Sequence, residues 1–437
     1  MSEDKKERGD FLQAPRGMRD IIGDDFYNSQ GFFEKAQEIC EYYGFTPIRT
    51  PMLEHEEVFM KGVGEGTDIV DKEIYTLRTK GGDRLALRPE GTAPVMRAYI
   101  EHGMQSLPQP LKFYYCGPTF RHDKPQKGRY REFDQFCIET LGSPKSIMDA
   151  ITIKIALIIL DEAGVKGVRV KINSIGDTES RKDYLKELTN YYKKFINKMG
   201  VEDRQRMKTN PMRILDSKDP VLADINAAAP QSVSHLNAVS KKHFKEVIEY
   251  LNEMKIDYEL DHTLVRGLDY YAHTVFEFFT EAQPDPENPG KELKQNALGG
   301  GGRYDYLAKT MGHKKNVPGV GFGLGVDRII EASSKKLVPK VKRKEKIYFI
   351  QLGNEAKMKS MNIIEILREA KIGVTHALAK DSLGSQLAVA EKLGLPYTII
   401  FGQKEALEDS VIVRDMENRS QKNVPIGKLA DYLKKLK

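Results

Sequence analysis

Gly319-Val320-Gly321-Phe322-Gly323-Leu324-Gly325 runs without a break into Val326-Asp327-Arg328-Ile329-Ile330. Glycine at every second position reads as a strand, because residues i, i+2 and i+4 of a strand share one face. All four glycines then lie on that face and leave it bare, so that something flat can rest against the backbone. Close packing of a second strand or a helix is the simpler account. The continuation points toward a ligand: a helix begins at Val326, and Arg328 projects near its N-terminus, where phosphate anions are favoured. A period of two is not the Gly-x-Gly-x-x-Gly of a dinucleotide fold, and no Gly-x4-Gly-Lys-Ser/Thr phosphate loop occurs in the chain. The His55-Glu56-Glu57-Val58-Phe59 run lacks the second histidine of a zinc-protease helix, and no Gly-x-Ser-x-Gly elbow is found. A nucleotide site, if the chain has one, must be built another way.

Upstream, Phe120-Arg121-His122-Asp123-Lys124-Pro125-Gln126-Lys127-Gly128-Arg129-Tyr130-Arg131-Glu132-Phe133 places five Lys/Arg and one Asp between positions 121 and 131, in a loop flanked by aromatic-rich strands over Leu111–Thr140. Such a run is usually a solvated turn. Strand alternation beyond it, however, sends Phe133, Gln135 and Glu139 to one face, a poor mixture for a core and a good one for a polar pocket with an aromatic platform. Three further constellations carry less by themselves. Arg88-Pro89-Glu90-Gly91-Thr92 is a capping box or turn taken alone. Leu264-Val265-Arg266-Gly267-Leu268-Asp269-Tyr270-Tyr271 reads as a loop whose simplest feature is an Arg266–Asp269 ion pair. Gly299-Gly300-Gly301-Gly302-Arg303-Tyr304-Asp305 either holds a ligand or makes a flexible corner.

Around these motifs, Phe32, Ala36, Ile39 and Tyr43 recur at helical spacing and Gly44 supplies a left-handed cap. Pro47 to Leu53 is extended, Asp149–Ala163 is a buried helix, and Val168–Ser174 a strand. Residues 178–251, Lys- and Tyr-rich with a polar Lys208–Pro220 stretch, read as an inserted helical module. Strand signals return at Asp257–Thr263 and Thr274–Thr280, and Gln283–Gly290 is a surface loop. Lys335 to Lys346 holds seven basic residues and Pro339, which marks 336–346 as a linker. Beyond it, strands at Ile347–Leu352, Val374–Ala377, Tyr397–Phe401 and Val411–Val413 alternate with helices at Ala356–Ala370, Gln386–Leu393 and Ile426–Leu436, a separate α/β domain over 347–437.

The composition suits this plan. In 437 residues, 40% hydrophobic content supports real cores, and a length of this order predicts about three domains. A net charge of +6 permits a nucleic-acid partner without demanding one. Cys40, Cys116 and Cys137 have no metal-clip or redox spacing, which fits a reducing cytoplasm. Neither a signal peptide nor an apolar run of membrane-spanning length is present, so the expectation is a soluble protein with no membrane partner.

Taken jointly and in order, the five constellations resemble the class II aminoacyl-tRNA synthetases, and within them the histidyl-tRNA synthetase family. Pro51 matches the first class motif, Arg121 with the 122–132 loop and Phe133 the second, and the glycine strand with Arg328 the third. Arg266–Tyr271 and Gly300–Asp305 look like the two signatures peculiar to the histidyl branch. The resemblance implies an α+β catalytic domain over 1–335 with a mostly antiparallel sheet, the 178–251 insertion within it, and a C-terminal anticodon-binding α/β domain. It implies ATP with Mg2+, L-histidine and tRNA(His) as substrates and partners, and a homodimer shaped by the motif around Pro51.

The resemblance also implies roles. Arg121 would hold the α-phosphate and Arg328 the γ-phosphate, with Arg129 part of the ATP site and Phe133 stacked on adenine, opposite Arg328. Arg266 and Arg121 would be catalytic, Arg266 flanking the α-phosphate where other class II enzymes use a metal, so no protein metal site is expected. Glu90, Thr92 and Gln135 would take the α-ammonium of histidine, Glu139 and Tyr271 the two imidazole nitrogens, with Tyr270 and Tyr304 completing the pocket. Asp123 and Asp327 stand where many relatives carry Glu, shortening the reach of both. Two rivals are a non-catalytic regulatory subunit of ATP phosphoribosyltransferase and a stand-alone RNA-binding module. The first loses catalytic residues and the C-terminal domain, both present here; the second leaves the Gln135–Glu139 face unexplained.

Overall fold

The structure, a computed structural model, describes residues 12–64, 67–125, 128–217, 219–281, 297–340 and 346–436. The Gln283–Gly290 loop and residues 341–345 of the 336–346 linker lie outside the described residues, as do Gln126 and Lys127 of the basic loop. The chain divides into two compact units, Met1–Pro339 and Lys340–Lys437. No described helix is long and apolar enough to cross a membrane.

Strands are numbered in chain order. In the first unit β1 (Thr46–Pro47), β2 (Leu53–His55), β3 (Tyr75–Arg78) and β4 (Arg84–Leu87) precede the hairpin of β5 (Leu111–Phe120) and β6 (Glu132–Leu141). β7 (Val168–Ser174), β8 (Tyr258–Leu260), β9 (Ala272–Thr280), β10 (Ala297–Arg303) and β11 (Gly319–Gly325) follow. Among the described residues, eight of these form one sheet in the order β1-β5-β6-β11-β10-β9-β7-β8. The six central strands are antiparallel to their neighbours, and only the edge pairs β1–β5 and β7–β8 are parallel.

Apolar alternation sets the two faces. Phe136 and Ile138 of β6 and Phe322 and Leu324 of β11 point to a core closed by helix Asp24–Tyr42 and the apolar helix Ile147–Glu162. The first helix buries Phe32, Ala36 and Ile39 and stops where Gly44, at φ 75°, gives its N–H to the Glu41 carbonyl. Helix Thr92–Glu101 and the earlier part of the 178–251 insertion cover the opposite face, whereas its last helix, Ala238–Glu253, buries Val247 and Leu251 in the first core. Tyr184, Leu188 and Tyr192 of the insertion join Tyr270, Tyr271 and Tyr304 in one continuous core. Within the stretch read as polar, Met212, Ile214 and Leu215 are buried in that core by a short 3-10 turn, because Pro211 starts the turn and the apolar residues all fall inward. The small sheet β2-β4-β3 was not foreseen, since β3 is largely exposed and has no apolar alternation.

The second unit is a five-stranded sheet in the order β13 (Val374–His376), β12 (Ile347–Gln351), β14 (Tyr397–Phe401), β15 (Ser410–Asp415), β16 (Gln421–Pro425). Period two sorts β12: Ile347 and Phe349 meet helices Asn354–Glu369 and Ile426–Lys434, whereas Tyr348 and Ile350 meet helix Leu383–Lys392.

Candidate active site

The floor of the site is main chain. β10 and β11 lie side by side with Gly300 opposite Gly323 and Gly302 opposite Gly321, so four glycines form one bare patch. Three of these four missing side chains have a tenant. A Cβ on Gly321 would fall 1.9 Å from Glu139 Oε2, one on Gly302 2.9 Å from the Tyr271 ring, and one on Gly300 2.6 Å from Arg266 Nη1. Gly319 carries the Tyr304 ring in the same way, at 2.3 Å. The Gly299–Gly302 run is thus a strand with two packed faces and not a flexible corner: Gly299 and Gly301 make room for the backbone of β11 itself.

The wall beside Gly321 is β6. Its register sets Glu139 across from Gly321, Cys137 across from Gly323 and Gln135 across from Gly325, which puts Phe133, Gln135 and Glu139 along the glycine patch as alternation requires. Glu139 is 1% exposed, and its carboxylate accepts from Thr92 Oγ1 at 2.7 Å, from Tyr115 Oη at 3.4 Å and, in a short bond, from Tyr304 Oη. Burial pushes its pKa up to about 8, against the pull of the Tyr304 and Thr92 bonds and with help from nearby Glu90. Burial likewise raises Glu90. Glu90 Oε2 accepts the Thr92 N–H at 2.6 Å and Oε1 the Ala93 N–H at 2.9 Å, so it does cap helix Thr92–Glu101, and Tyr270 Oη adds a bond at 3.3 Å. Capping and pocket lining are one arrangement, since the cap aims the helix start at Glu139. Tyr270 packs on Tyr271 and Tyr304, with ring centroids 4.7 and 5.7 Å apart.

At the other end three arginines converge. Arg121 gives Nε to the Pro89 carbonyl at 2.9 Å, and its guanidinium carbon lies 5.5 Å from the Phe133 ring centroid. Arg328 reaches the Gly128 and Ala297 carbonyls at 3.0 and 2.6 Å. Arg129 bonds Asp123 at 3.2 Å. Burial, then the positive charges of Arg129 and Arg121, lower the pKa of Arg328, the mark of cations held together without enough anion to balance them. Arg266 comes in from the Leu264–Tyr271 loop and pairs with Glu277 of β9 at 2.5 Å. Among the described residues, the buried Nε donors of Arg266 and Arg129 have no partner.

Several expectations are corrected here. Arg266 and Asp269 do not pair with each other: Asp269 is held by Arg181 and, at 2.9 Å, by Asn210, both from the insertion. Arg303 of the second histidyl signature faces away from the glycine patch, fully buried in ion pairs with Asp149 and Asp305. Asp123 and Asp327 bond protein groups, Arg129 and Arg19 respectively. Sequence reasoning missed Tyr115 and Glu277. Tyr115 sits across from Cys137 in the β5–β6 hairpin, on the face that alternation had already assigned to Glu139. Glu277, the one carboxylate in Ala272-His273-Thr274-Val275-Phe276-Glu277-Phe278-Phe279, signals a partner for a nearby cation.

A bare glycine floor, a carboxylate and tyrosine pocket at one end and an arginine cluster at the other, on an antiparallel sheet of this order, define a class II aminoacyl-tRNA synthetase. The sequence model described as Histidyl-tRNA synthetase matches residues 17–329, and that described as Anticodon binding domain matches residues 346–436. The chain belongs to the histidyl-tRNA synthetase family. It is 39% identical over 424 residues to the histidine–tRNA ligase of Geobacillus kaustophilus, covering 97% of this chain and 98% of that one. To the histidine–tRNA ligase of Natranaerobius thermophilus it is 38% identical over 429 residues, covering 98% and 99%. The apo S. aureus histidyl-tRNA synthetase structure superposes with a TM-score of 0.78 at 31% identity, covering 97% of this chain and all of that one.

Proposed function

We infer that the chain is a histidine–tRNA ligase: with ATP it activates L-histidine to histidyl-adenylate and pyrophosphate, then transfers the histidyl group to the 3′ end of tRNA(His). The observation that carries the site assignment is the juxtaposition of the Glu139–Tyr304–Thr92 pocket with Arg121, Arg129 and Arg328 across one glycine floor.

In this reading Glu139 and Tyr271 take the imidazole nitrogens, with Tyr270 and Tyr304 fixing their surroundings, and Glu90, Thr92 and Gln135 take the α-ammonium. A buried site that bonds both ring nitrogens rejects side chains lacking them, by roughly 10⁴ or more. Arg121 and Arg328 bind the phosphates as planar forks, Arg129 adds charge, and Phe133 offers its ring to adenine. The histidine carboxylate attacks the α-phosphorus and the bond to pyrophosphate breaks. Arg266, whose Nε is buried and unpartnered, stabilises the charge that builds on the α-phosphate; fixed donors aimed at developing charge are the largest catalytic contribution in many enzymes. Mg2+ enters with ATP as part of the substrate, its coordination supplied mostly by phosphates.

A cytoplasmic homodimer is part of the proposal. Met52 and Leu53 follow Pro51 and, with Leu77 of the same small sheet, leave apolar side chains exposed at 47%, 43% and 37%. The regulatory-subunit alternative has less support, since Arg121, Arg266 and Arg328 are all present and an anticodon-binding domain follows at residues 346–436. ATP–pyrophosphate exchange with each amino acid in turn tests the function. Exchange dependent on histidine is expected; a well-folded preparation without it would sink the assignment.

A further inference from the structure

Arg19 lies before the first helix, far in sequence from both parts of the arginine cluster, and touches both. Its guanidinium carbon stands 4.1 Å from the Tyr130 ring centroid, and Nη1 donates to the Tyr130 hydroxyl at 3.1 Å. Nη2 makes a short ion pair with Asp327. Tyr130 follows Arg129 and Asp327 precedes Arg328, so one side chain ties together the immediate neighbours of two of the three converging arginines. The segment around Arg19 is itself strapped to the loop. The Gly17 carbonyl accepts the Arg131 N–H at 2.7 Å, and the Arg16 carbonyl accepts from Arg131 Nη1 at 3.4 Å. Gly17 has φ 86°, and a Cβ there would meet Arg131 Cγ at 2.8 Å, so the strap closes only on glycine.

The tie acts against a real force. Arg121, Arg129 and Arg328 repel one another, and that repulsion tends to separate the 128–131 loop from the helix that starts at Val326. Arg19 opposes the separation with a cation–π contact on one side and an ion pair on the other. Asp327 also has Asp134 for a neighbour, whose pKa rises to about 6 through burial and then the charge of Asp327; burial raises the Asp327 carboxyl as well, and the Arg19 ion pair pulls against that rise.

Resting on the assignment of the three arginines to ATP, we propose that Arg19 is a positioning residue for the nucleotide: it fixes the spacing of Arg129 and Arg328 without touching the substrate.

The experiment compares wild type, Arg19→Ala and Arg19→Lys by ATP–pyrophosphate exchange, and by calorimetric titration with ATP in the absence of histidine. Arg19→Ala should raise the KM and Kd for ATP about five- to thirtyfold while the KM for histidine stays within about twofold. Arg19→Lys should recover part of the loss, since the ion pair survives and the planar contact with Tyr130 does not. An unchanged affinity for ATP in Arg19→Ala, or an equal rise in both KM values, overturns the proposal. If wild type gives no exchange with histidine, the functional assignment fails, and the ATP titrations still decide the role of Arg19.

Discussion

Tyr304 and Glu139, 165 positions apart, share a short hydrogen bond directly above Gly321, in the volume that a side chain on Gly321 would fill. The Gly300–Asp305 signature and strand β6 are therefore joined over a third residue that contributes only space.

That arrangement makes Gly321 a sharp test. A methyl group there would meet Glu139 Oε2 at 1.9 Å and the Ile138 carbonyl at 2.3 Å, and neither can retreat. Gly321→Ala is expected to cost about 1–3 kcal/mol of stability through overpacking and to raise the KM for histidine about tenfold or more. Gly384, with nothing within 4 Å of its added Cβ, is the control: Gly384→Ala should leave both unchanged or slightly raise the melting temperature. Denaturation and exchange kinetics on the two variants decide the matter.

Glu139 predicts a pH dependence. Its carboxyl goes from an ordinary 4.5 to about 8 in the folded chain, so between those values the native state holds a proton that the unfolded state has released. Stability then falls as pH rises from about 4.5 to about 8 and is flat on either side. Glu139→Gln has no proton to lose. Urea denaturation should show the variant gaining on wild type across that window, whatever constant offset the new amide introduces; parallel profiles would mean that the carboxyl is not held protonated.

Arg266 and Asp269 separate chemistry from support. Arg266→Ala should lower exchange by about 10²–10³ while ATP still binds, because the lost interaction is with charge that develops during attack. Asp269→Asn leaves the Arg266–Glu277 pair intact and only loosens the hold of Arg181, so a loss of about tenfold or less is expected. Losses of the same size in the two variants would place Asp269 in the chemistry.

Arg303 should behave as a structural residue. Burial works to raise the Asp149 carboxyl, but the Arg303 and His243 side chains outweigh it and hold the pKa at about 2. Removing one member of a buried pair leaves the other uncompensated, and Arg303→Met should cost about 3–5 kcal/mol. The stabilisation is complete above the ordinary value of 3.8 and is lost as pH falls through about 2, so the gap between variant and wild type should narrow in strong acid. A variant as stable as wild type at neutral pH would contradict this account.

What could be read in advance depended on the range of the signal. The alternating glycines of β11 and the Phe133, Gln135, Glu139 row are period-two patterns within one strand, and one chain segment suffices to see them. The partner of Arg266 was not visible, because it depends on the β9–β10 register and on the opening at Gly300. The nearest carboxylate in sequence, Asp269, was the wrong choice: the insertion, placed only by the fold, claims it through Arg181 and Asn210. β16, Gln421-Lys422-Asn423-Val424-Pro425, was missed for a different reason; four of its five residues are exposed, so no apolar alternation exists to detect.

The glycine floor bears on how such an enzyme can diverge. A surface of pure main chain has nothing that substitution can trim, and almost anything added to it collides with a wall. The side chains through which amino-acid preference could be altered therefore stand on β6, on the 264–271 loop and at the turn around Glu90. The base of the cleft is set by backbone and its sides by side chains, so selectivity can be retuned at the sides without rebuilding the base.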